Sequence, residues 1–233
     1  MDKLVAILVC IFLSFSAKTM ESENIPPKSY SIIVSTIASN QLVSWYKRYV
    51  VKAYNDIGYK VTIVEHSPKK SAEEGNKGNI DAVVIRVSEI EDNLIDFQRV
   101  PTIIAKGKLV LYCQKNVICN DEVLNNRHNL IGIVSGVNIT SNYMKNKNAS
   151  TYQVETDTNV AMMLNKKRFD YILSVDVDDL GNYSDLVTED YNRIVIKELV
   201  GYHYVHKSIS GLIPELTTSL ANAIEEIGPP QSN

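Results

Sequence analysis

The sequence predicts an α/β protein built as two lobes, and three observations carry this. Apolar runs of strand length alternate with amphipathic stretches of helical period, first from Tyr30 to Val87 and again from Asn129 to Val177. That alternation builds a mostly parallel sheet flanked by helices. One arrangement also recurs. "GNIDAVVIR" (Gly78 to Arg86) and "KRFDYILSV" (Lys167 to Val175) each place polar residues, an aspartate and an apolar run in the same order. Finally, a long extended segment follows each alternating half, at 102–114 and 193–206, and no low-complexity linker separates the halves.

The elements read as follows. "SYSIIVSTIAS" is a buried strand ending in small polar residues. A helix follows over "NQLVSWYKRYVVKAYNDIGY": Leu42, Trp45, Tyr49, Val50 and Ala53 share one face, Asn40 is the expected N-cap and Gly58 the stop. "KVTIVEH" is a second strand, "KKSAEEGNKG" a short polar helix, and Ile80 to Val87 a third strand. "EIEDNLIDFQRVP" is expected to be a helix or turn closed by Pro101, before the extended "TIIAKGKLVLYCQ". In the second half "NLIGIVSGV", "STYQVET" and "DYILSVDV" are strands. "NITSNYMKNKNA" and "DTNVAMMLNKKRF" are the helices between them, the latter with Asp157 as expected N-cap. "RIVIKELVGYHYVHK" is extended, and "SGLIPELTTSLANAIEEIG" is a last helix ending at Gly228.

Composition narrows the function classes. The 233 residues are 45% hydrophobic and 22% charged with a net charge of −3, which suits a folded domain and argues against a nucleic-acid binder, whose contact face is basic. The N-terminus carries Lys3, ten apolar residues from Leu4 to Leu13, and small residues at Ser14 and Ser16. This predicts a secretory signal peptide over residues 1–16, cleaved before Ala17, the alternative being an uncleaved anchor. Cys10 does not mark a lipoprotein, because Val9 before it is not small. Cys113 and Cys119 remain after cleavage. An oxidising compartment favours a disulfide between them over two core thiols. The Asn-x-Ser/Thr sequons at Asn138, Asn148 and Asn182 are read as chance in an asparagine-rich chain.

Taken in order, the helix ending "AYNDIGYKV", then "GNIDAVVIR", "FQRVPTI", "LIGIVSG", "NKKRFDYIL" and "HYVHKSISGLIPELTTSLANAIEEIG" resemble the bacterial periplasmic solute-binding proteins of type 2, in the amino-acid-binding group (family 3). The resemblance covers nearly the whole chain after the leader. It implies two α/β lobes joined by two hinge strands, with the ligand in the cleft. Residues 17–107 and 200–233 form lobe 1, and residues 108–199 form lobe 2. It further implies a periplasmic monomer with a small-molecule ligand, no cofactor, and an inner-membrane transporter or sensor as partner. The chain departs from the pattern in one segment. Members usually carry Thr-x-x-Arg after the third strand, the arginine clamping the ligand's α-carboxylate. Here "SEIEDNLIDF" has no arginine and four acids, and the glycine-based loop before it is missing too. A small polar ligand, anionic or amino-acid-like, is expected, and the missing arginine makes an ordinary amino acid less favoured than is usual for the family.

Candidate ligand contacts follow from position. Arg86 ends the third strand, where ligands bind in open α/β sheets, and its planar fork suits a carboxylate or phosphate. The alternative is a surface ion pair with Glu89 or Glu91. "SGVNIT", with Ser135, Gly136 and Asn138, joins a strand to a helix start. It offers backbone N–H groups to an anion or is simply a capped turn. Asp176, with Asp178 and Asp179 after it, suits a ligand amine or is a set of solvated loop acids. Trp45 is expected in the core, and Tyr46 either lines the pocket or joins the core. His203 and His206 have no ligand partners at metal spacing. Asp81 and Asp170 are read as structural, each binding backbone N–H groups at a strand entry. No nucleophile elbow, phosphate loop or zinc motif is present in the sequence, so binding without catalysis is the expectation. A sensory or adaptor role toward a membrane partner is the alternative.

Overall fold

A computed structural model describes residues 31–37, 41–89, 94–135, 137–177 and 191–230. The expected leader, Cys10, Asn40, Glu91, Gly136, Asp178, Asp179 and Asn182 lie outside them.

The chain alternates as its periodicity predicts. In the first half come β1 (Ser31–Thr36), α1 (Gln41–Asp56), β2 (Lys60–Glu65), α2 (Pro68–Asn76) and β3 (Ala82–Val87). The long strand β4 (Phe97–Gln114) leads into the second half. There β5 (Leu130–Val134), α3 (Asn138–Met144), β6 (Ser150–Val154), α4 (Asp157–Asn165) and β7 (Tyr171–Val177) follow. The second long strand, β8 (Tyr191–His206), and α5 (Ile213–Ile227) complete the chain. Among the described residues no helix is long and apolar enough to cross a membrane.

All eight strands join one sheet in the order β2-β1-β3-β8-β4-β7-β5-β6. The outer strands of each half pair in parallel. The long strands β4 and β8 pair antiparallel from Phe97↔His206 to Gln114↔Tyr191. Together they form a ribbon that belongs to both halves: β3 joins it at the C-terminal part of β8, and β7 joins it at Gly107 to Cys113 of β4. The ribbon's ladder shifts register between Arg99 and Ile103, between Ile103 and Ala105, and between Leu109 and Val110.

Each half has its own core. Tyr46, Tyr49, Val50 and Ala53 of α1 and Leu216 and Leu220 of α5 pack on Val34, Val84 and Val205. In the second half, Leu109, Leu111, Ile131, Ile133 and Leu173 form a cluster with Leu124 and Met144. Further clusters cover the opposite sheet face, with Phe97 and Tyr204 in the first half and Val160, Leu164 and Phe169 in the second. Cys113 and Cys119 are bonded, with Cα atoms 5.7 Å apart, tying the end of β4 to the 3-10 turn at Asp121–Asn125.

Two local expectations are corrected. Pro101 does not close a helix or turn. It sits inside β4, at the first register shift, where the missing ladder N–H does no harm. The cap of α4 is Thr156, whose side chain accepts from the Asn159 N–H at 3.1 Å, one residue before Asp157. Asp81 answers to its sequence reading in modified form. Its carboxylate accepts from the Ile33 N–H at 2.8 Å, so it binds the neighbouring strand rather than its own turn.

Candidate functional site

A cavity of about 280 Å³ lies over the ribbon where the two halves meet. The first half contributes Ile37, Val43, Tyr46, Ile85 and Val87. The second contributes Val137, Asn138, Ile139, Val175 and Val177. Ala105, Gly107, Leu199 and Gly201 of the ribbon form the floor. The location follows from topology. The carboxyl ends of β1 and β3 run toward those of β5 and β7, and open α/β sheets bind ligands beyond such ends. Glycine is required at Gly107, because a Cβ there would stand 2.7 Å from the Asp176 carbonyl oxygen, closer than side chains pack.

Arg86 and Lys106 border this cavity, but the strand register turns both side chains to the other face of the sheet. A Cβ on Gly201 would touch Ile85 and Ala105, which places these three on the cavity face. Gly201 pairs with Val87, and Tyr202 pairs with Arg86. Directly opposed residues share a face and successive residues alternate, so Arg86 lies with Tyr202. By the same alternation Lys106, between Ala105 and Gly107, faces away as well. A bulge between Val83 and Arg86 sets this phase.

The environment of Arg86 agrees. The residue is 7% exposed. Its Nη1 donates to the Ile85 carbonyl at 3.2 Å, and Nη2 is buried without a hydrogen-bond partner. Desolvation pulls its pKa down to about 10, and the Tyr204 side chain on that same face acts in the opposite direction. The side chain expected to meet a ligand thus points away from the cavity it borders, and the phase of the bulge is the reason. The alternative ion pair with Glu89 is absent too, since Glu89 pairs with Lys197 at 3.6 Å.

Asp176 is likewise not placed to meet a ligand amine. It alternates with the cavity residues Val175 and Val177 and is 2% exposed on the far face. Its carboxylate accepts from the Tyr112 hydroxyl at 2.8 Å and from Arg193 Nη2 at 2.6 Å. Burial and this carboxylate push the Tyr112 phenol well above its ordinary range. Asp176 belongs to a buried, satisfied polar group.

The turn before α3 is divided. Ser135 is exposed, and its N–H donates to the Val154 carbonyl at 2.8 Å, so that donor is used within the sheet. Asn138 lines the cavity. Tyr46, read as either pocket or core, is buried in the α1 core and also lines the cavity. Trp45 packs at the edge of that core and donates to the Gly228 carbonyl at 3.3 Å, as does the Tyr49 hydroxyl.

His203 is fully buried, with its ring nitrogens 3.1 Å from the Tyr54 hydroxyl and 3.3 Å from the Val84 carbonyl. Desolvation lowers its pKa to about 4. His206 Nδ1 accepts from the Ser208 N–H at the entry to the 3-10 turn Lys207–Leu212. Among the described residues no group of metal-ligating side chains comes together.

Sequence reasoning missed the character of the cavity. Alternation along "DYILSVDV" separates Asp176 from its neighbours and was readable. The bulge in β3 left no comparable mark in the sequence.

No family model and no curated protein matches the sequence. Solved structures do. The substrate-binding protein of an amino acid ABC transporter superposes with a TM-score of 0.59 at 14% identity, over 84% of this chain and 96% of that one. An ABC uptake transporter substrate-binding protein from Streptococcus pneumoniae with bound histidine gives 0.60 at 14% identity, over 84% and 90%. A histidine kinase sensor domain with similarity to periplasmic binding proteins gives 0.61 at 10% identity, over 85% and 91%. The chain thus has the fold shared by the substrate-binding proteins of amino-acid ABC transporters and this sensor domain.

Proposed function

We propose that this protein is a secreted solute-binding protein that holds a small molecule in the cavity between its two halves and performs no catalysis. One observation carries the reading: the cavity's walls come from both halves, and its floor is the ribbon that joins them. A ligand there touches both halves at once. It therefore favours a closed arrangement by whatever contacts it makes only in that state. Bending is assigned to the ribbon around residues 99–110 of β4, where the ladder is irregular, a hinge in the sense of a few residues absorbing the change. The amino-acid-binding neighbours support solute capture. The absence of Ser, Cys, His, Asp and Glu from the described lining residues supports binding without chemistry. The closed form would be read by a membrane partner, either a transporter or, as the likeness to a sensor domain favours, a signalling protein.

The test is a thermal-shift screen of amino acids, organic acids, sugars, phosphorylated metabolites and neutral small molecules against the mature protein. A ligand at 100 times its Kd adds about 2.7 kcal/mol, about 5 to 11 °C for a chain of this size. A screen in which no compound shifts the transition refutes the proposal.

A further inference from the structure

We infer that the cavity takes an uncharged molecule: a hydroxyl or carbonyl group on a branched-aliphatic or aromatic body, rather than a zwitterionic amino acid or a free anion. The inference rests on the proposed binding reading and narrows it. A charge moved into a cavity needs an opposite charge or several hydrogen bonds inside it. Among the described residues, Arg86, Lys106 and Asp176 do not supply them. Lys108 and Glu198 are paired in the row of Asp176, and Lys197 and Glu89, two positions from the lining Leu199 and Val87, neutralise each other at 3.6 Å. Arg86 and Lys106 are turned to the far face by the register of β3 and β4. Asp176 faces away as well and is already bound by Arg193 and Tyr112. Arg86 Nη2 has no accessible surface, so it does not open on to the cavity.

What remains among the described lining residues is nearly all aliphatic. Tyr46 and Asn138 are the neutral polar side chains. The Tyr46 hydroxyl is as buried as Arg86 Nη2, so the exposed Asn138 is the one of the two whose polar group suits a hydroxyl or carbonyl on an otherwise apolar ligand, the usual composition of a small-molecule site. The volume of about 280 Å³ corresponds to roughly nine waters at ~30 Å³ each, which accommodates a phenyl ring or a branched chain of a few carbons.

The experiment compares matched probes by calorimetric titration of the full mature protein: 3-phenylpropan-1-ol, 3-phenylpropanoate and L-phenylalanine, and 4-methylpentan-1-ol, 4-methylpentanoate and L-leucine. Each alcohol is expected to bind at least tenfold tighter than its carboxylate or amino acid. Shortening an alcohol by one methylene is expected to weaken it about fourfold. Val177→Phe, which fills the cavity, is expected to remove alcohol binding. Ile37→Phe makes the same test from the other half, should Val177→Phe fail to fold. Arg86→Met is expected to leave alcohol affinity within twofold.

A carboxylate or amino acid that binds as tightly as its alcohol overturns the inference and leaves the solute-binding proposal standing. So does a sugar or phosphate found by the broader screen. Alcohol binding that survives both filling variants also overturns it, because the site is then elsewhere. If neither these probes nor any compound in the screen binds, both readings fall.

Discussion

Replacing Arg86 by methionine is expected to stabilise the ligand-free protein by about 2 kcal/mol. The guanidinium is 7% exposed, donates one hydrogen bond to the Ile85 carbonyl and leaves Nη2 without a hydrogen-bond partner. Burial lowers its pKa from the ordinary arginine range to about 10. That difference of about 2.5 units, at 1.36 kcal/mol each, corresponds to about 3 kcal/mol of unfavourable environment for the charged form. Because the folded-state pKa lies below the unfolded one, the penalty applies in full at neutral pH and is relieved only as pH rises through about 10. Methionine keeps an apolar stem of similar reach and removes the charge. It also loses the Ile85 hydrogen bond, worth about 1 kcal/mol, which leaves about 2 kcal/mol in favour of the variant. Replacement of buried charge by apolar side chains follows this pattern elsewhere. Urea denaturation at pH 7 reads the difference directly. The thermal midpoint should rise by about 4 to 8 °C for a chain of this size. A loss of 2 kcal/mol or more would refute the reasoning, because it would mean that the guanidinium has a strong partner in solution.

Three further outcomes are expected. Asp176→Asn should cost about 3 kcal/mol in urea denaturation, since it leaves Arg193 and Tyr112 without their carboxylate, while alcohol affinity stays within twofold; a large affinity loss would return Asp176 to the binding site. His203 holds a pKa of about 4 in the fold against about 6.5 unfolded, so it contributes stability above pH 6.5 that is lost as pH falls toward 4. The loss amounts to about 3 kcal/mol, and His203→Gln should flatten that part of the stability–pH curve; parallel curves for the two proteins would show the imidazole is not buried neutral. Replacing both Cys113 and Cys119 by alanine should remove about 2 kcal/mol, as expected for so short a closed loop, and unchanged denaturation midpoints would contradict the disulfide of the structure.

Much of the fold was legible because periodicity is a local property. The apolar run of "DAVVIR", the helical spacing of Tyr49, Val50 and Ala53, and the positive-φ stop at Gly228 each follow from a few neighbouring residues. The length of the two extended segments also marked the ribbon. Their pairing with each other, and the single sheet that results, were decided by tertiary structure.

The site divides in the same way. Where the cavity lies was readable, since strand ends and helix starts locate it; position made Asn138 a candidate, while Tyr46 stayed open between pocket and core. What the cavity is made of was not. A strand's two faces differ by one residue of phase, and a single bulge reverses every assignment beyond it. In β3 that bulge falls between Val83 and Arg86. It gives Ile85 and Val87 to the cavity and takes Arg86 away, and it depends on how β8 pairs across the sheet, more than a hundred residues further along the chain.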